Sequence, residues 1–369
     1  MDKQQYTDDY PDKTLYIPGP TEVRDEVLEA MSQPMFGHRM DQMTDLYTTI
    51  VEDTKTFLGT DNDIIILTAS GTEFWETSTL NLVDEHMLCT TCGSFGERHA
   101  NVADRLGKNV DRLEYEWGKA VKPMDVREAI ESSTVDYDVV TCVMNESSTG
   151  VRNPIEEIGD VVAEYPDTYF VVDAVSCLGG DYIDIEKHNI DVIFTSSQKA
   201  FAMPPGLAIC AVSDDAYERE LENESASWYG GFQRCIDYYD RKGQTHSTPA
   251  IPVMLAYQKQ MEYMLEEGHD ARNQRHREMA EYTRSWAREH FEMFPEEGYE
   301  SRTVACIENI QDMDVAATID AVSDKYDMEF SNGYGSTLGE TTFRIGHMGE
   351  HDIESIKMLT DAIEDVADL

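Results

Sequence analysis

The residues Asp191-Val-Ile-Phe-Thr-Ser-Ser-Gln-Lys199-Ala-Phe-Ala-Met-Pro-Pro-Gly206 set a short apolar run directly before a single lysine and a Pro-Pro-Gly turn. Asp191 to Phe194 is unbroken rather than alternating in hydrophobicity, the pattern of a strand buried on both faces. Lys199 therefore falls just past a strand's carboxyl end, the edge at which open α/β sheets bind ligands. An amine partly withdrawn from water there has a lowered pKa and can form a Schiff base with a carbonyl compound. By position alone, an ordinary loop lysine is the favoured reading, and only the surrounding motifs shift it.

Working outward, the chain alternates. Strands are expected at 63–68, 87–91, 109–114, 138–144 and 169–173, with helices at about 72–83, 95–106, 123–131 and 156–164 between them, and strands at 191–195 and 207–212 flank Lys199. Such alternation predicts a mainly parallel sheet of about seven strands between layers of helices. Helix signals at Val23 to Ser32 and Asp41 to Leu58 precede it. Residues 225–249, rich in Gly, Ser, Tyr and Gln, break the pattern and read as a long functional loop. A helix starting near Pro252, the amphipathic segment Ala271 to Phe294, strands at 303–307 and 342–346, and helices at 313–325 and 350–367 suggest a smaller α+β domain. The expected division is a large α/β domain over 31–255, a small C-terminal α+β domain over 256–369 with 14–30 packed on it, and a peripheral segment, 1–13.

Asp173 ends the apolar run Tyr169-Phe-Val-Val172, so it also lies at a strand's carboxyl end, 26 residues before Lys199. One strand–connection–strand unit fits that interval, and the two side chains could converge on one ligand; a strand-end aspartate capping its own turn is the alternative. Ser70-Gly71-Thr72 follows Ile64-Ile-Ile-Leu67 and opens a helix, with Ser70 as its expected cap. Free N–H groups and the helix dipole make such a turn an anion site. Arg344 stands inside an apolar strand, where a guanidinium needs an anion, either a structural carboxylate or a ligand's.

These segments resemble aminotransferase class V, the fold-type-I pyridoxal-phosphate enzymes, and within it the alanine–glyoxylate and serine–pyruvate aminotransferase branch. The resemblance runs along almost the whole chain: Pro18-Gly19-Pro20, Met35-Phe36-Gly37-His38-Arg39, Ser70-Gly71-Thr72, Gly93-Ser94-Phe95-Gly96-Glu97-Arg98, Glu146-Ser147-Ser148-Thr149-Gly150, Val172-Asp173-Ala174-Val175-Ser176, Ser197-Gln198-Lys199 and Phe343-Arg344-Ile345-Gly346-His347-Met348-Gly349. Each is weak alone; their order and spacing are specific.

The resemblance implies pyridoxal 5′-phosphate on Lys199, with Asp173 against the pyridine nitrogen, so that the protonated ring withdraws electrons from the substrate's Cα. It assigns Ser70, Gly71, Thr72 and Gln198 to the phosphate and Phe95, where the family often has Trp, to the face of the ring. Ser148 is placed near the phenolic oxygen and the substrate, and Arg344 on the substrate carboxylate. Gly19 is implied at the substrate pocket, whose floor Thr21 alters where the family commonly has Gly-Pro-Gly. Thr248 is implied to reach the neighbouring subunit's phosphate in a homodimer with shared sites, although Thr245 stands where a Tyr is common. The activity implied is transfer of an amino group from a small L-amino acid, alanine or serine, to a 2-oxo acid such as glyoxylate or pyruvate. Lyase or desulfurase chemistry and aminoethylphosphonate transamination are the alternatives on this fold.

Composition bounds the partners. With 29 basic and 73 acidic residues the net charge is −44, spread along the chain. A field of that sign repels nucleic acid and anionic membranes, and its self-repulsion is relieved by molar salt, as in halophilic proteins. The polar start and the lack of an apolar run of about 18 residues leave a cytoplasmic location as the default. Seven scattered cysteines argue against a disulfide framework. Cys89-Thr-Thr-Cys92 has no second pair at zinc-site spacing, and these cysteines, with Cys142, Cys177, Cys210 and Cys306, read as small core residues, so no metal is expected. His347 is expected to be structural.

Overall fold

The computed structural model describes residues 13–223 and 226–369. The expected peripheral segment, 1–13, lies outside the described residues except for Lys13. Seven strands form the main sheet: β1 Asp63–Leu67, β2 His86–Thr91, β3 Asn109–Glu114, β4 Val139–Val143, β5 Tyr169–Asp173, β6 Val192–Ser196 and β7 Ala208–Val212. Their order across the sheet is β1-β7-β6-β5-β4-β2-β3. Neighbours from β6 to β3 are parallel, and β7 runs antiparallel to both β1 and β6. Two reversals in succession turn β1 back into line with β6. The carboxyl ends of six strands thus share one edge.

Unbroken apolar runs are what this sheet requires, because both faces are covered. In β1, Ile64 and Ile66 enter one layer of core and Ile65 and Leu67 the other; in β5, Phe170 and Val172 oppose Val171 in the same way. The first layer is closed by Asp41–Leu58, Ile155–Val162 and Ile251–Glu267, the second by helix α1, Glu73–Leu82, with α2, Ser94–Arg105, and Phe232–Lys242. Full burial of each such side chain is worth about 1.5–3 kcal/mol.

A second, antiparallel sheet runs Glu292–Met293, Val304–Glu308, Thr342–Gly346, Ser331–Asn332. His269–His290, Val315–Tyr326 and Ile353–Ala367 pack on it around a separate core that includes Trp286, Phe291, Ile307 and Phe343. Thr14–Leu15 pairs in parallel with Met328–Glu329, which ties the start of the described chain to this unit.

Two expectations fail. Residues 225–249 are not one long loop: Phe232–Lys242 is a helix of 11 residues, whose Phe232, Cys235 and Ile236 are buried. Asp214–Glu222, capped by Ser213, is a further helix without an expectation. The initial helix is also shorter than Val23 to Ser32, covering Asp25–Ala30. All seven cysteines are free and buried.

Candidate active site

The shared carboxyl edge gathers the loops that follow β1, β2, β4, β5 and β6. Lys199, in the turn after β6, is partly buried and donates from Nζ to the carbonyl of Pro18. Burial first, and the Arg344 charge second, hold its amine down at about 8, against an opposing pull from Asp173. Gly19 lies directly on it. A Cβ there would stand 2.7 Å from both Cδ and Nζ of Lys199, on a backbone with φ +115°, so only glycine fits. Thr21 fixes the lysine from the other side, its hydroxyl donating to the Lys199 carbonyl at 3.0 Å and its N–H to the Gln198 carbonyl at 3.2 Å.

Asp173, at the end of the adjacent strand β5, is 3% exposed. Its two oxygens accept from the Trp75 indole at 2.8 Å and from the Val175 N–H at 2.9 Å. Burial nevertheless raises its carboxyl to about 6, because no cation lies within ion-pair distance among the described residues. A buried carboxylate with neutral donors and no direct ion pair, felt only at a distance by Lys199, is prepared for a cationic group. A protonated pyridine nitrogen is such a group.

The turn after β1 departs from expectation. Ser70 is not the cap of α1; Thr72 holds that position without a side-chain bond, and the Gly71 N–H is taken by the Ser196 hydroxyl at 2.7 Å. The hydroxyls of Ser70 and Thr72 are exposed and have no partner among the described residues. They remain available to an anion at the start of α1, where the dipole favours one. A Cβ on Gly71 would meet Val175 at 2.4 Å, so that turn also closes only with glycine.

Glu146, passed over within Glu-Ser-Ser-Thr-Gly, organises the loops after β2 and β4. Its fully buried carboxylate accepts from the N–H groups of Phe95 and Gly96 at 3.0 and 3.1 Å and from the Ser148 hydroxyl. The Ser148 oxygen in turn accepts from the Ser94 N–H at 3.0 Å. Phe95, at the first turn of α2, is set by this clamp beside Trp75 and Tyr334, with ring centroids 6.4 and 5.5 Å away.

Arg344 is central in its sheet, opposite Cys306 on one side and Ser331 on the other. It is 9% exposed, and its hydrogen bonds, both 3.2 Å, go to the carbonyls of Asn332 and Ser147. No carboxylate lies within ion-pair distance of it among the described residues. Burial lowers its pKa. The structure thus brings Lys199, Asp173, Phe95, Ser148, Gln198, Gly19 and Arg344 to one edge. Thr248 is apart from them, exposed on a loop where its hydroxyl meets His38 at 3.4 Å. His347 is buried with neither ring nitrogen partnered among the described residues.

Trp75, Glu146, Thr21 and Arg272 are functional neighbours that sequence reading missed or left undefined. Arg272, fully buried, donates to the Ala200 carbonyl next to the lysine and to Gly179, both at 2.9 Å, and pairs with Glu267 and Glu350. An acid at the end of a buried strand was a usable signal for Glu146. For Trp75 and Arg272, on helices whose inner faces also read as core, none was.

Known proteins resemble this chain over most of its length. The family model for aminotransferase class V matches residues 15–325. An uncharacterized aminotransferase of Methanocaldococcus jannaschii is 38% identical over 91% of this chain and 88% of its own. The serine–glyoxylate aminotransferase of Methylorubrum extorquens is 29% identical over 94% and 88%. Among solved structures, an alanine–glyoxylate aminotransferase from Nostoc sp. superposes with a TM-score of 0.90 at 26% identity, covering 97% of this chain and 96% of that one.

Proposed function

The chain belongs to the class V aminotransferases, pyridoxal-phosphate enzymes, and on that premise we propose that it transfers the amino group of a small L-amino acid, alanine or serine, to a 2-oxo acid such as glyoxylate or pyruvate. The observation that supports an α-amino acid is Arg344, a buried guanidinium bonded only to carbonyls and without a carboxylate of the protein's own. A substrate α-carboxylate satisfies it through a planar fork.

When bound, the cofactor would supply an electron sink for the Cα electrons and a carbonyl carbon able to carry the amino group between the two acids. Asp173 keeps the pyridine nitrogen protonated, and its own ionisation becomes favourable once that cation lies beside it. Ser70, Gly71, Thr72 and Gln198 would hold the phosphate, and Phe95 would offer its face to the ring. Lys199 would hold the cofactor, and its amine, when free, would move the Cα proton as general base and acid. An amine whose pKa is held down at about 8 rather than 10.5 is suited to this, because a far larger fraction of it is neutral near neutral pH than for a solvated lysine. Arg344 fixes the carboxylate and thereby which Cα bond breaks, with Gly19 and Ser148 lining the same pocket.

Thr248 serves the partner's phosphate in a homodimer. Its exposure supports this, as do Met35 at 64% and Trp228 at 77% exposure, apolar surface that a second copy would cover. The large and small domains divide after the helix Ile251–Glu267 rather than at 255/256, a reading supported by Met254, Tyr257, Met261 and Met264 of that helix sharing the core of the large sheet. Unpaired cysteines suit a reducing interior, the cytoplasm, and the acidic surface suits molar salt; among the described residues no helix is long and apolar enough to cross a membrane. Desulfuration is disfavoured because it needs an accessible thiol, and all seven are buried.

Arg344→Lys tests the reading. Losing a bidentate, desolvated pair costs on the order of 3 kcal/mol, about a hundredfold in kcat/KM for alanine or serine, while the bound cofactor's spectrum is kept. Undiminished turnover of α-amino acids would move the clamp elsewhere and favour an aminophosphonate substrate.

A further inference from the structure

Resting on Arg344 as the α-carboxylate clamp, we propose that Arg98 and Tyr334 form a second anion-binding position at the mouth of the site, for the distal carboxylate of a dicarboxylic amino or 2-oxo acid. Arg98 lies on α2 three residues after Phe95, and so on the same face of the helix. Its guanidinium carbon is 5.6 Å from the Phe95 ring centroid and 5.5 Å from that of Tyr334. Arg344 approaches the same Tyr334 ring at 5.1 Å. Two cations therefore flank one aromatic ring, and their guanidinium carbons are no further apart than twice 5.5 Å.

Neither cation is neutralised. Arg98 is exposed, and among the described residues it has no ion pair and no hydrogen bond, in a chain with 73 acidic side chains against 29 basic ones. The two rings lie beside the guanidinium without taking its N–H groups in hydrogen bonds, so its fork stays free for a planar anion. A carboxylate sits about 3 Å from the nitrogens that bind it. The short carbon chain between the two carboxylates of a four- or five-carbon diacid then bridges the remaining gap. Such a ligand relieves the repulsion between the two arginines, which a monocarboxylate leaves half in place. Glu146, by fixing the Phe95 and Gly96 N–H groups, holds this first turn of α2 in position.

The two positions differ in a way that serves a ping-pong enzyme, whose one pocket must take different acids in turn. Arg344 is buried and pinned by carbonyls, so it reads what every substrate shares. Arg98 is exposed and unpinned, so it can engage a distal carboxylate or stand in water beside alanine. Being exposed, its grip is modest, about tenfold in discrimination.

The test uses cofactor-loaded enzyme, single-turnover conversion with aspartate and with alanine, and calorimetric binding of maleate as a non-reacting diacid. Arg98→Gln is expected to lower the aspartate-to-alanine ratio of kcat/KM about tenfold and to weaken maleate by a similar factor. Arg98→Lys, which keeps the charge, is expected to restore most of both. If neither amino acid converts the cofactor in the unaltered enzyme, the transamination reading itself fails. If both amino acids convert, but Arg98→Gln lowers them alike and leaves maleate binding unchanged, Arg98 merely props Phe95 and Tyr334 and this proposal is overturned.

Discussion

Asp173→Asn should stabilise the cofactor-free protein at pH 8 while impairing cofactor retention. The carboxyl is raised by burial from 3.8 to about 6. For an acid whose folded pKa lies above its unfolded value, the folded state binds the proton more tightly. Stability is then highest below about pH 4, falls as pH rises to about 6, and is level above it. About two pH units correspond to roughly 3 kcal/mol of destabilisation at neutral pH, undiscounted for screening because the group is 3% exposed. The amide removes that penalty but has one acceptor oxygen where the carboxylate has two, so either Trp75 or Val175 loses its partner. This costs about 1–2 kcal/mol, at every pH. The variant is therefore expected to gain about 1–2 kcal/mol at pH 8 and to lose a similar amount at pH 4. Urea unfolding of both cofactor-free proteins in molar salt at the two pH values measures it. The decisive quantity is the change in the difference between them, about 3 kcal/mol, from which the lost hydrogen bond cancels. A difference that does not move with pH would refute a buried, uncompensated charge at Asp173.

Lys199→Ala is expected to abolish borohydride trapping of the cofactor, and a peptide map placing the pyridoxyl group on another lysine would refute the assignment. In the cofactor-free protein, acylation of Lys199 should rise with a midpoint near pH 8, because burial disfavours the ammonium; a midpoint at 10.5 would show a solvated amine. Gly19→Ala should displace the lysine, since its Cβ would stand 2.7 Å from Nζ at φ +115°, and cost about 2–4 kcal/mol or the cofactor. Unchanged retention and melting would contradict that contact. With a net charge of −44, lowering salt from 1 M to 0.1 M lengthens screening from about 3 to about 10 Å and should lower the melting temperature. Equal melting temperatures would remove the case for a salt-adapted surface.

What could be read beforehand was what depends on local pattern. Runs such as Ile64–Leu67 and Tyr169–Val172 are apolar throughout because two layers of core compete for alternate residues, and the chain position of Lys199 and Asp173 at strand ends follows directly. Phe232–Lys242 was missed although Phe232, Cys235 and Ile236 have helical spacing. Most of its other residues are charged or tyrosine, and glycines at both ends suggest a loop. In the site, Arg344 was ambiguous from its own surroundings and became specific only through the resemblance. The Trp75 bond to Asp173 spans 98 residues and the Thr21 bond to Lys199 spans 178, so no window of sequence contains either pair. Ser70 was misread because a serine at a helix start usually caps, whereas here the turn is closed by Ser196, from another strand.

The short N-terminal strap has a consequence for biosynthesis. Pro18, Gly19 and Thr21 grip the lysine, yet the strap is anchored by Thr14–Leu15 to Met328–Glu329, segments more than 300 residues apart. On the ribosome the first of these emerges more than 300 residues before the second and waits for it. Contacts of such separation form late, after their loop entropy has been met. Nascent chains would therefore hold the seven strands before they hold a finished pocket. Cofactor capture would then wait for Met328–Glu329, and changes to Thr14–Leu15 would be felt at the lysine rather than at the periphery.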